Sequence, residues 1–363
     1  MKLEHDTRKG NLKLLTSRKY SVLKYKMRSS LMSNDKVVNM KYPFNRKKGV
    51  VQILGSCNGL ICASREINHI IYIWNPCTKE YKLILSPKKP VGFQSNRSLE
   101  STDHNAYGFG YDSQNSDYKF VSIFSKRNMD VSRVEIYSLG SDSWKTYESG
   151  IPYKLSRGDP GTGVFVNGAL HWFAKSNKSK SRVILCFDLE EEIFKEIPQP
   201  ADVPMDGFDY RFVDVLRGRL CLLCSVSKVG FEIWEMKTYG VRKSWSKLFK
   251  TDLQLMMALD ISSYHYIRSA VVLKDGEILL QIRLHDDKTY SDFKWQERSN
   301  VVGICWEEEK GRHINIRKYM YMKNLAQMVP RLESLVSVNT GTHVGDPKER
   351  EDYNEAYRGM LFH

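Results

Sequence analysis

The stretch Val164–Trp172, which reads VFVNGALHW, decides the fold class of this chain. Two runs of apolar residues that favour β-strands flank Asn167-Gly168. This pair is a strong hairpin signal, because a type I′ turn needs positive φ at both central residues and Asn-Gly is the pair that adopts it most readily. The same succession of run, turn and run recurs at Cys57–Cys62, Val215–Cys221 and Val271–Leu280. The repeat therefore predicts a series of antiparallel hairpins and an all-β fold.

Each hairpin unit continues into a further apolar strand, a polar turn and a closing aromatic residue. In three units the aromatic lies six positions after an Asn, Ser or Asp, and a fourth unit has a longer loop; the closing aromatics are Tyr81, Trp144, Phe194 and Trp245. They are 63, 50 and 51 residues apart. A period near 50 residues with about four short strands per unit is typical of propeller blades, which bury their faces by stacking around a ring.

The ends of the chain complete the predicted ring. A fifth, weaker unit follows Gly276, and residues 332–338 have the apolar alternation of a last strand that can pair with strands from 1–50. We therefore predict an all-β, propeller-like domain over residues 1–340, with six blades closed by N- and C-terminal strands. Residues 341–363 are predicted to form a polar C-terminal tail.

The positive charge is concentrated at the N-terminus. The net charge is +14, and residues 1–48 contain 14 Lys and Arg against 3 Asp and Glu, so the other 315 residues carry only +3. Such an arm can bind nucleic acid, acidic lipids or an acidic protein. Because the basic residues alternate with apolar ones, a solvated strand region is favoured and nucleic-acid binding is the weaker alternative.

Composition indicates the class of protein and its compartment. The chain has no run of 18 apolar residues and begins with charged residues, so neither a transmembrane helix nor a signal peptide is expected. Seven cysteines without framework spacing fit reduced thiols. We expect a protein of the cytoplasm, the nucleus or both, with no membrane contact.

The sequence contains no motif that is typical of catalysis or cofactor binding. The Gly108-Phe-Gly110 stretch lacks the third glycine and the helix of a phosphate-binding loop. Cys221 and Cys224 lie three apart in an apolar strand, so their sulfurs face opposite sides and cannot share a metal ion. His171 is expected to be a structural residue bonded to a neighbouring loop. We therefore predict no catalytic, cofactor-binding or metal-binding residues and no enzymatic activity.

Five short sequence motifs follow one another along the chain, and their combination is more specific than any one of them. They are GSCNGLIC at 55–62, WNPCTK at 74–79, YGFGYD at 107–112, NGALHW at 167–172 and IWEMKTYG at 233–240. From about residue 5 to 340 the chain resembles the F-box associated, kelch-like domain of plant F-box proteins, and the subgroup with the pollen S-locus F-box proteins is nearest.

This resemblance implies a non-catalytic substrate receptor of a cullin-based SCF ubiquitin ligase, which binds a protein substrate through its propeller loops. Family members carry a helical F-box before this domain, and no Leu-Pro helical pattern precedes Gly55 here. A truncated gene model, a short paralogue and a fragment remain open. Contact with the ligase adaptor is expected only if an F-box lies upstream. Without one, the chain is a competitor that protects substrates.

The candidate binding residues are the aromatic and Arg side chains of the irregular loops 88–104, 125–133, 149–161 and 198–211, because such side chains are the usual interface anchors. They are Phe93, Arg97, Arg127, Tyr153, Arg157, Tyr210 and Arg211. The sequence does not show which rim of the propeller these loops occupy.

Overall fold

The computed structural model describes residues 13–18, 21–26, 37–40, 51–65, 70–85, 104–125, 132–149, 151–155, 161–201, 203, 207–226, 230–251, 264–272, 278–284, 299–305, 315–317, 327–331, 336 and 338. These residues form six β-sheets. Helical structure among them is limited to one 3-10 turn at Arg242–Ser244. The predicted all-β fold with six blades is confirmed.

The first three blades follow the chain from its N-terminus. Blade 1 contains β1 (Lys13–Arg18), β2 (Ser21–Lys26) and β3 (Val37–Met40). Blade 2 contains β4 (Val51–Cys57), β5 (Leu60–Arg65), β6 (Ile70–Trp74) and β7 (Tyr81–Leu85). Blade 3 contains β8 (His104–Asp112), β9 (Asp117–Ser125), β10 (Ser132–Ser138) and β11 (Ser143–Ser149).

The other blades repeat this order, with extra short strands in blade 4. Blade 4 contains β12 (Tyr153–Leu155), β14 (Val164–Val166), β15 (Ala169–Ser176), β16 (Arg182–Asp188) and β17 (Phe194–Ile197), and the short β13 (Gly161–Thr162), which lies between β12 and β14 in the chain, pairs in parallel with β8 of blade 3. Blade 5 contains β18 (Tyr210–Leu216), β19 (Arg219–Val226), β20 (Gly230–Met236) and β21 (Trp245–Lys250). Blade 6 contains β22 (Tyr264–Val272), β23 (Ile278–Leu284), β24 (Ser299–Cys305) and β25 (Asn315–Arg317), and β26 (Gln327–Arg331) follows it.

The ring is closed by the two ends of the chain. Strand β26 pairs antiparallel with β1, so that blade 1 has the order β26-β1-β2-β3. Closure by terminal strands was predicted, but the closing strand is 327–331 and not 332–338. Pro330 disfavours a strand assignment from sequence, yet it is compatible with β26 because β26 lies at the edge of its sheet.

Part of the segment predicted to close the ring binds to blade 2 instead. The Asn75 side-chain amide donates to the Val336 carbonyl over 2.6 Å, and the Val338 N–H donates to the Glu80 carboxylate over 3.2 Å. The Val338 side chain is buried in the core between blades 2 and 3. Side chains of blade 2 therefore bond these backbone groups, in place of a strand ladder.

The first strands of the blades surround the axis of the ring. Strand β4 contacts β8, β8 contacts β14, β14 contacts β18, and β18 contacts β22. The hydrophobic cores lie between successive blades, and the closing aromatics pack in or against them as expected. For example, the Phe194 and Phe187 ring centroids are 4.8 Å apart in the core between blades 3 and 4.

The hairpin turns have the backbone conformation that their sequences predict. Asn58 and Gly59 have φ of 47° and 84°, and Asn167 and Gly168 have φ of 50° and 73°. Both central residues of each turn are thus in the left-handed region, as a type I′ turn requires. The predicted Asp275-Gly276 turn lies outside the described residues.

Candidate partner-binding rim

The antiparallel order of each blade assigns every connection to one of two rims. Connections from first to second strand and from third to fourth strand lie at one end of the blade, which we call the turn rim. Connections from second to third strand, and from one blade to the next, lie at the opposite end, which we call the loop rim. The turn rim holds short turns, including 58–59, 75–80, 139–142, 167–168 and 217–218.

The predicted irregular loops converge on the loop rim. Residues 88–104 connect blades 2 and 3, residues 198–211 connect blades 4 and 5, and residues 125–133 join the second and third strands of blade 3. The loop 149–161 starts at the same rim and includes β12, which pairs with β15 and, together with β14, forms the first strand of blade 4. Phe93, Arg97, Arg127 and Arg157 lie outside the described residues, so their part in binding stays a prediction.

The three described candidates lie in strands at the loop rim. Tyr153 is the first residue of β12. Its pKa is raised to about 12, mainly because the side chain is partly buried and secondly because it hydrogen-bonds to Glu196. Tyr210 begins β18 and is half-buried, which raises its pKa. Arg211 differs from the expected exposed loop residue because it is only 4% exposed, with its guanidinium 5.8 Å from the Phe208 ring centroid. Their roles in partner binding stay predictions.

An aromatic stack joins blades 5 and 6 near the loop rim. The rings of Tyr210 and Phe212 both stack on Tyr266, with centroid distances of 4.6 Å and 5.2 Å and interplanar angles of 26° and 29°. All three side chains are half-buried. Sequence reasoning found Tyr210 only, although the spacing of Tyr210 and Phe212 places both rings on one face of β18. The partner Tyr266 comes from another blade and had no sequence signal.

A group of basic side chains, also missed from the sequence, covers the loop-rim end of blade 4. We call it the basic hairpin; it comprises Lys154, Lys175, Lys178, Lys180 and Arg182, all exposed. Lys154 is the register partner of Lys175, and Lys175 is that of Arg182. Three cations therefore stand in one row across β12, β15 and β16. The signal available in the sequence was the run from Lys175 to Arg182, which contains no acidic residue.

One group of charged side chains on the turn rim is bonded internally. The Lys119 ammonium lies 2.8 Å from Asp112 and 3.0 Å from Glu192, and it donates to the Leu189 carbonyl over 2.6 Å. Burial alone would raise the pKa of Asp112, but hydrogen bonds from Asn115 and Lys119 lower it to about 2. This group links blade 3 to blade 4, and so it stabilises the ring.

His171 is the structural residue that the sequence predicted. It is buried, its Nε2 lies 2.7 Å from the Tyr239 hydroxyl of blade 5, and its Nδ1 lies 3.3 Å from the Val164 carbonyl. Burial lowers the pKa of its imidazole to about 4. The ring is therefore neutral near pH 7 and joins blades 4 and 5.

Five of the six cysteines in the described ranges are buried core residues. Cys221 packs between blades 5 and 6, whereas Cys224 packs between blades 4 and 5, so the two sulfurs face opposite sides as predicted. Burial raises the pKa of Cys57 and of Cys224 to about 12, which keeps both thiols protonated. Within the described ranges, no three His, Cys, Asp or Glu side chains are grouped so as to hold a metal ion.

The family is decided by a match that spans most of the chain. The model of the F-box associated beta propeller domain matches residues 14–337. The chain belongs to this family. The five sequence motifs on which the resemblance rests all lie in one part of the F-box associated domain. Each of them reaches or contains a turn of the turn rim.

Curated relatives of this F-box associated domain are plant F-box proteins. An F-box/kelch-repeat protein of Arabidopsis thaliana is 32% identical over 201 residues, which cover 54% of this chain and 52% of that protein. The F-box protein CPR1 of the same plant is 30% identical over 274 residues, which cover 69% of this chain and 63% of that protein. The chain thus spans between about half and two thirds of these relatives' length.

Solved structures that align with the domain include other propellers. One is a fucose-specific lectin from Aleuria aurantia, with a TM-score of 0.39, 11% identity, and coverage of 73% of this chain and 77% of the lectin. Another is the beta-propeller domain of the Trilobed protease from Pyrococcus furiosus, with a TM-score of 0.37, 12% identity, and coverage of 74% and 70%. At these TM-scores and identities, the similarity supports no conclusion about the function of this chain.

The described parts of the domain contain no helix with the length and apolar character needed to span a membrane.

Proposed function

We propose that this chain is the substrate-recognition domain of an F-box protein and that it holds a protein substrate on its loop rim. The observation that carries the proposal is the division between the two rims. The family motifs build the turn rim, where the short turns and the ion pairs of Lys119 are bonded within the domain. The connections of irregular length meet at the loop rim, and loops on a rigid scaffold are where binding residues concentrate.

The turn rim is less suited to a variable partner. Its Lys119 cluster links two blades, and the segment around Val336 and Val338 binds to blade 2 at Asn75 and Glu80. A substrate that docked there would compete with contacts that stabilise the ring. The loop rim places aromatic and basic side chains in positions where a partner can contact them without breaking such contacts.

The domain acts by tethering and forms no covalent bond with its substrate. In an SCF ubiquitin ligase, holding the substrate beside the ubiquitin-loaded enzyme raises the effective concentration of its lysines, to about the millimolar range for short connections. Connection to the adaptor requires an F-box segment, which the longer relatives have by name. The chain supplies the receptor part of that complex.

The proposal is tested by capture of substrate from plant extract. Proteins recovered with the wild-type chain are quantified by mass spectrometry and compared with those recovered with a loop-rim variant, Tyr153→Ala with Tyr210→Ala, and with a turn-rim control, Lys79→Ala with Val241→Ala. A specific partner is expected to fall roughly tenfold with the first variant and to be unchanged with the second. The melting temperatures serve as the folding control.

Two outcomes contradict the proposal. If the turn-rim control loses the partner while the loop-rim variant keeps it, the assignment of the rim is wrong. If no partner is enriched over both variants in repeated captures, the receptor function itself is rejected. Recovery of the ligase adaptor with this chain alone would show that the connection does not depend on an F-box.

A further inference from the structure

The basic hairpin of blade 4 is an arrangement that folding alone does not favour. Lys154, Lys175 and Arg182 are direct register partners on three adjacent strands. Neighbouring strands are about 4.8 Å apart, and like charges directly opposite each other destabilise a sheet. Lys178 and Lys180 add two further exposed cations in the turn that joins the same strands.

The basic hairpin has no described counter-charges. Among the ion pairs between described residues, none involves Lys154, Lys175, Lys178, Lys180 or Arg182. Elsewhere in the ring, cations such as Lys119, Arg219 and Lys247 have carboxylate partners within about 3.1 Å, whereas the exposed Lys237, Arg242 and Lys243 of the turn rim also make no ion pair with a described residue. The hairpin thus presents five positive charges to solvent at the rim proposed to bind substrate.

The row lies on the face of blade 4 that packs against blade 5. Lys175 lies two positions after Phe173, and Arg182 two positions before Ile184, so each shares a strand face with its neighbour. Phe173 and Ile184 lie in the core between blades 4 and 5. The Arg182 guanidinium donates to the Phe208 carbonyl over 3.4 Å, just before the strand that carries Tyr210. Glu196 is on the opposite face, where it contacts Tyr153. The cations and the Tyr210 ring therefore both lie at the loop rim, the cations on blade 4 where it faces blade 5 and the ring between blades 5 and 6.

We propose that the basic hairpin binds an acidic segment of the protein substrate, one rich in Asp and Glu. This inference rests on the proposed function, because it names the chemistry of the partner that the loop rim holds. Carboxylates of such a segment would neutralise the like-charge row that is otherwise unfavourable. The neighbouring aromatic rings would contact apolar side chains in the same segment.

The composition and extent of the basic hairpin favour carboxylates over nucleic acid. Four of its five cations are Lys, which act as separate point charges, whereas Arg is the residue suited to bidentate phosphate contact. The row spans about 10 Å across three strands, whereas proteins that bind duplex DNA commonly contact about 6 to 10 phosphates along a track. A short acidic segment matches this extent.

The direct test is binding of a fluorescein-labelled peptide of eight Glu and Asp residues to the full chain, followed by fluorescence anisotropy at low and at physiological salt. The triple variant Lys175→Glu, Lys178→Glu, Lys180→Glu is expected to weaken peptide binding about tenfold or more. The variant with Gln at the same three positions is expected to weaken it less, because it removes the positive charges without adding negative ones. The matched control is Lys237→Glu, Arg242→Glu, Lys243→Glu, which changes the same charge at three exposed turn-rim positions. It is expected to change the affinity less than about twofold.

Three outcomes would overturn the inference. If the turn-rim control variant loses as much peptide affinity as the hairpin variant, the peptide is attracted only by the net charge of the chain. Tighter binding of a single-stranded oligonucleotide of equal charge would assign the surface to nucleic acid. Undiminished capture of the natural substrate by the hairpin variant would show that the acidic-segment assignment is wrong, while the receptor function itself would stand. Because all six positions are exposed, the melting temperatures of both variants are expected to stay near that of the wild type.

Discussion

Gly163 shows how a single residue holds two blades in register. Its N–H donates to the Tyr107 carbonyl of blade 3 over 2.6 Å, and the Trp172 indole N–H donates to the same carbonyl over 3.1 Å. A Cβ at this position would stand 2.5 Å from Cε2 of Trp172. Only glycine allows the backbone and the indole to approach the neighbouring blade together.

Gly163→Ala is therefore expected to destabilise the domain by about 1–3 kcal/mol, because the rigid indole must move within a packed core. Gly168→Ala is the control: its φ is +73°, and a Cβ there meets nothing within 4 Å, so only backbone strain of about 1 kcal/mol is expected. Urea unfolding measures both free energies. Equal stability of Gly163→Ala and the wild type would contradict the packing argument.

Asp214 joins two blade elements, the first strands β18 and β22. Its carboxylate accepts hydrogen bonds from the Ala270 N–H over 2.8 Å and from the Ser269 hydroxyl over 3.0 Å, both in blade 6. The Val215 N–H also donates to it over 2.8 Å. Burial raises the pKa of this carboxyl to about 6, although the three hydrogen bonds act in the opposite direction.

Because the pKa of Asp214 is higher in the folded chain than its ordinary value of 3.8, the fold favours the protonated form. Its stabilising contribution is complete below about pH 4 and is lost as the pH rises through about 6. The free-energy difference between wild type and Asp214→Asn is expected to fall between pH 4.5 and pH 7, by at most about 3 kcal/mol. Urea unfolding at several pH values measures it, and a difference independent of pH would refute it.

At the scale of the whole molecule, one strand pairing closes the ring. Strand β26 pairs with β1 across more than 300 residues of sequence. Strands β1 and β26 both contact β4 of blade 2, so the loss of β26 removes part of this contact. The edge of β1 would then be exposed, and blade 1 would no longer contain a strand from the C-terminal part of the chain.

A chain that ends at residue 326 is therefore expected to melt roughly 10 °C or more below the full chain, because the ring is open. A chain that ends at residue 340 is the matched control: it keeps β26, Val336 and Val338 and loses only the predicted polar tail. Its melting temperature is expected to stay close to that of the full chain. Calorimetry compares the three, and an equal melting temperature for the chain ending at 326 would show that closure contributes little.

Much of the fold was predictable because its determinants are local. Asn58-Gly59 and Asn167-Gly168 dictate their turns through backbone conformations that few residue types adopt easily. The closing aromatics recur at blade spacing because each must fill the wedge between neighbouring sheets. The opposite orientation of Cys221 and Cys224 follows from strand alternation alone.

The candidate site depended on contacts between distant parts of the chain. Arg211 belongs to a sequence that is typical of an exposed loop, but the end of blade 5 buries it against Phe208. The aromatic stack requires Tyr266 from another blade. The basic row requires that β12 and β16 pair with β15 in one register, which brings Lys154 to Lys175 and Arg182.

The sequence by itself determined the all-β class and the hairpin repeat, because turn chemistry and strand alternation act over a few residues; it predicted six blades, and the pairing of the strands into six sheets established that number. The tertiary structure alone decided that 327–331 closes the ring, that the irregular loops share one rim, and that blade 4 presents a row of cations there. Those features depend on strand register and on blade order, which are set by the packing of the whole ring.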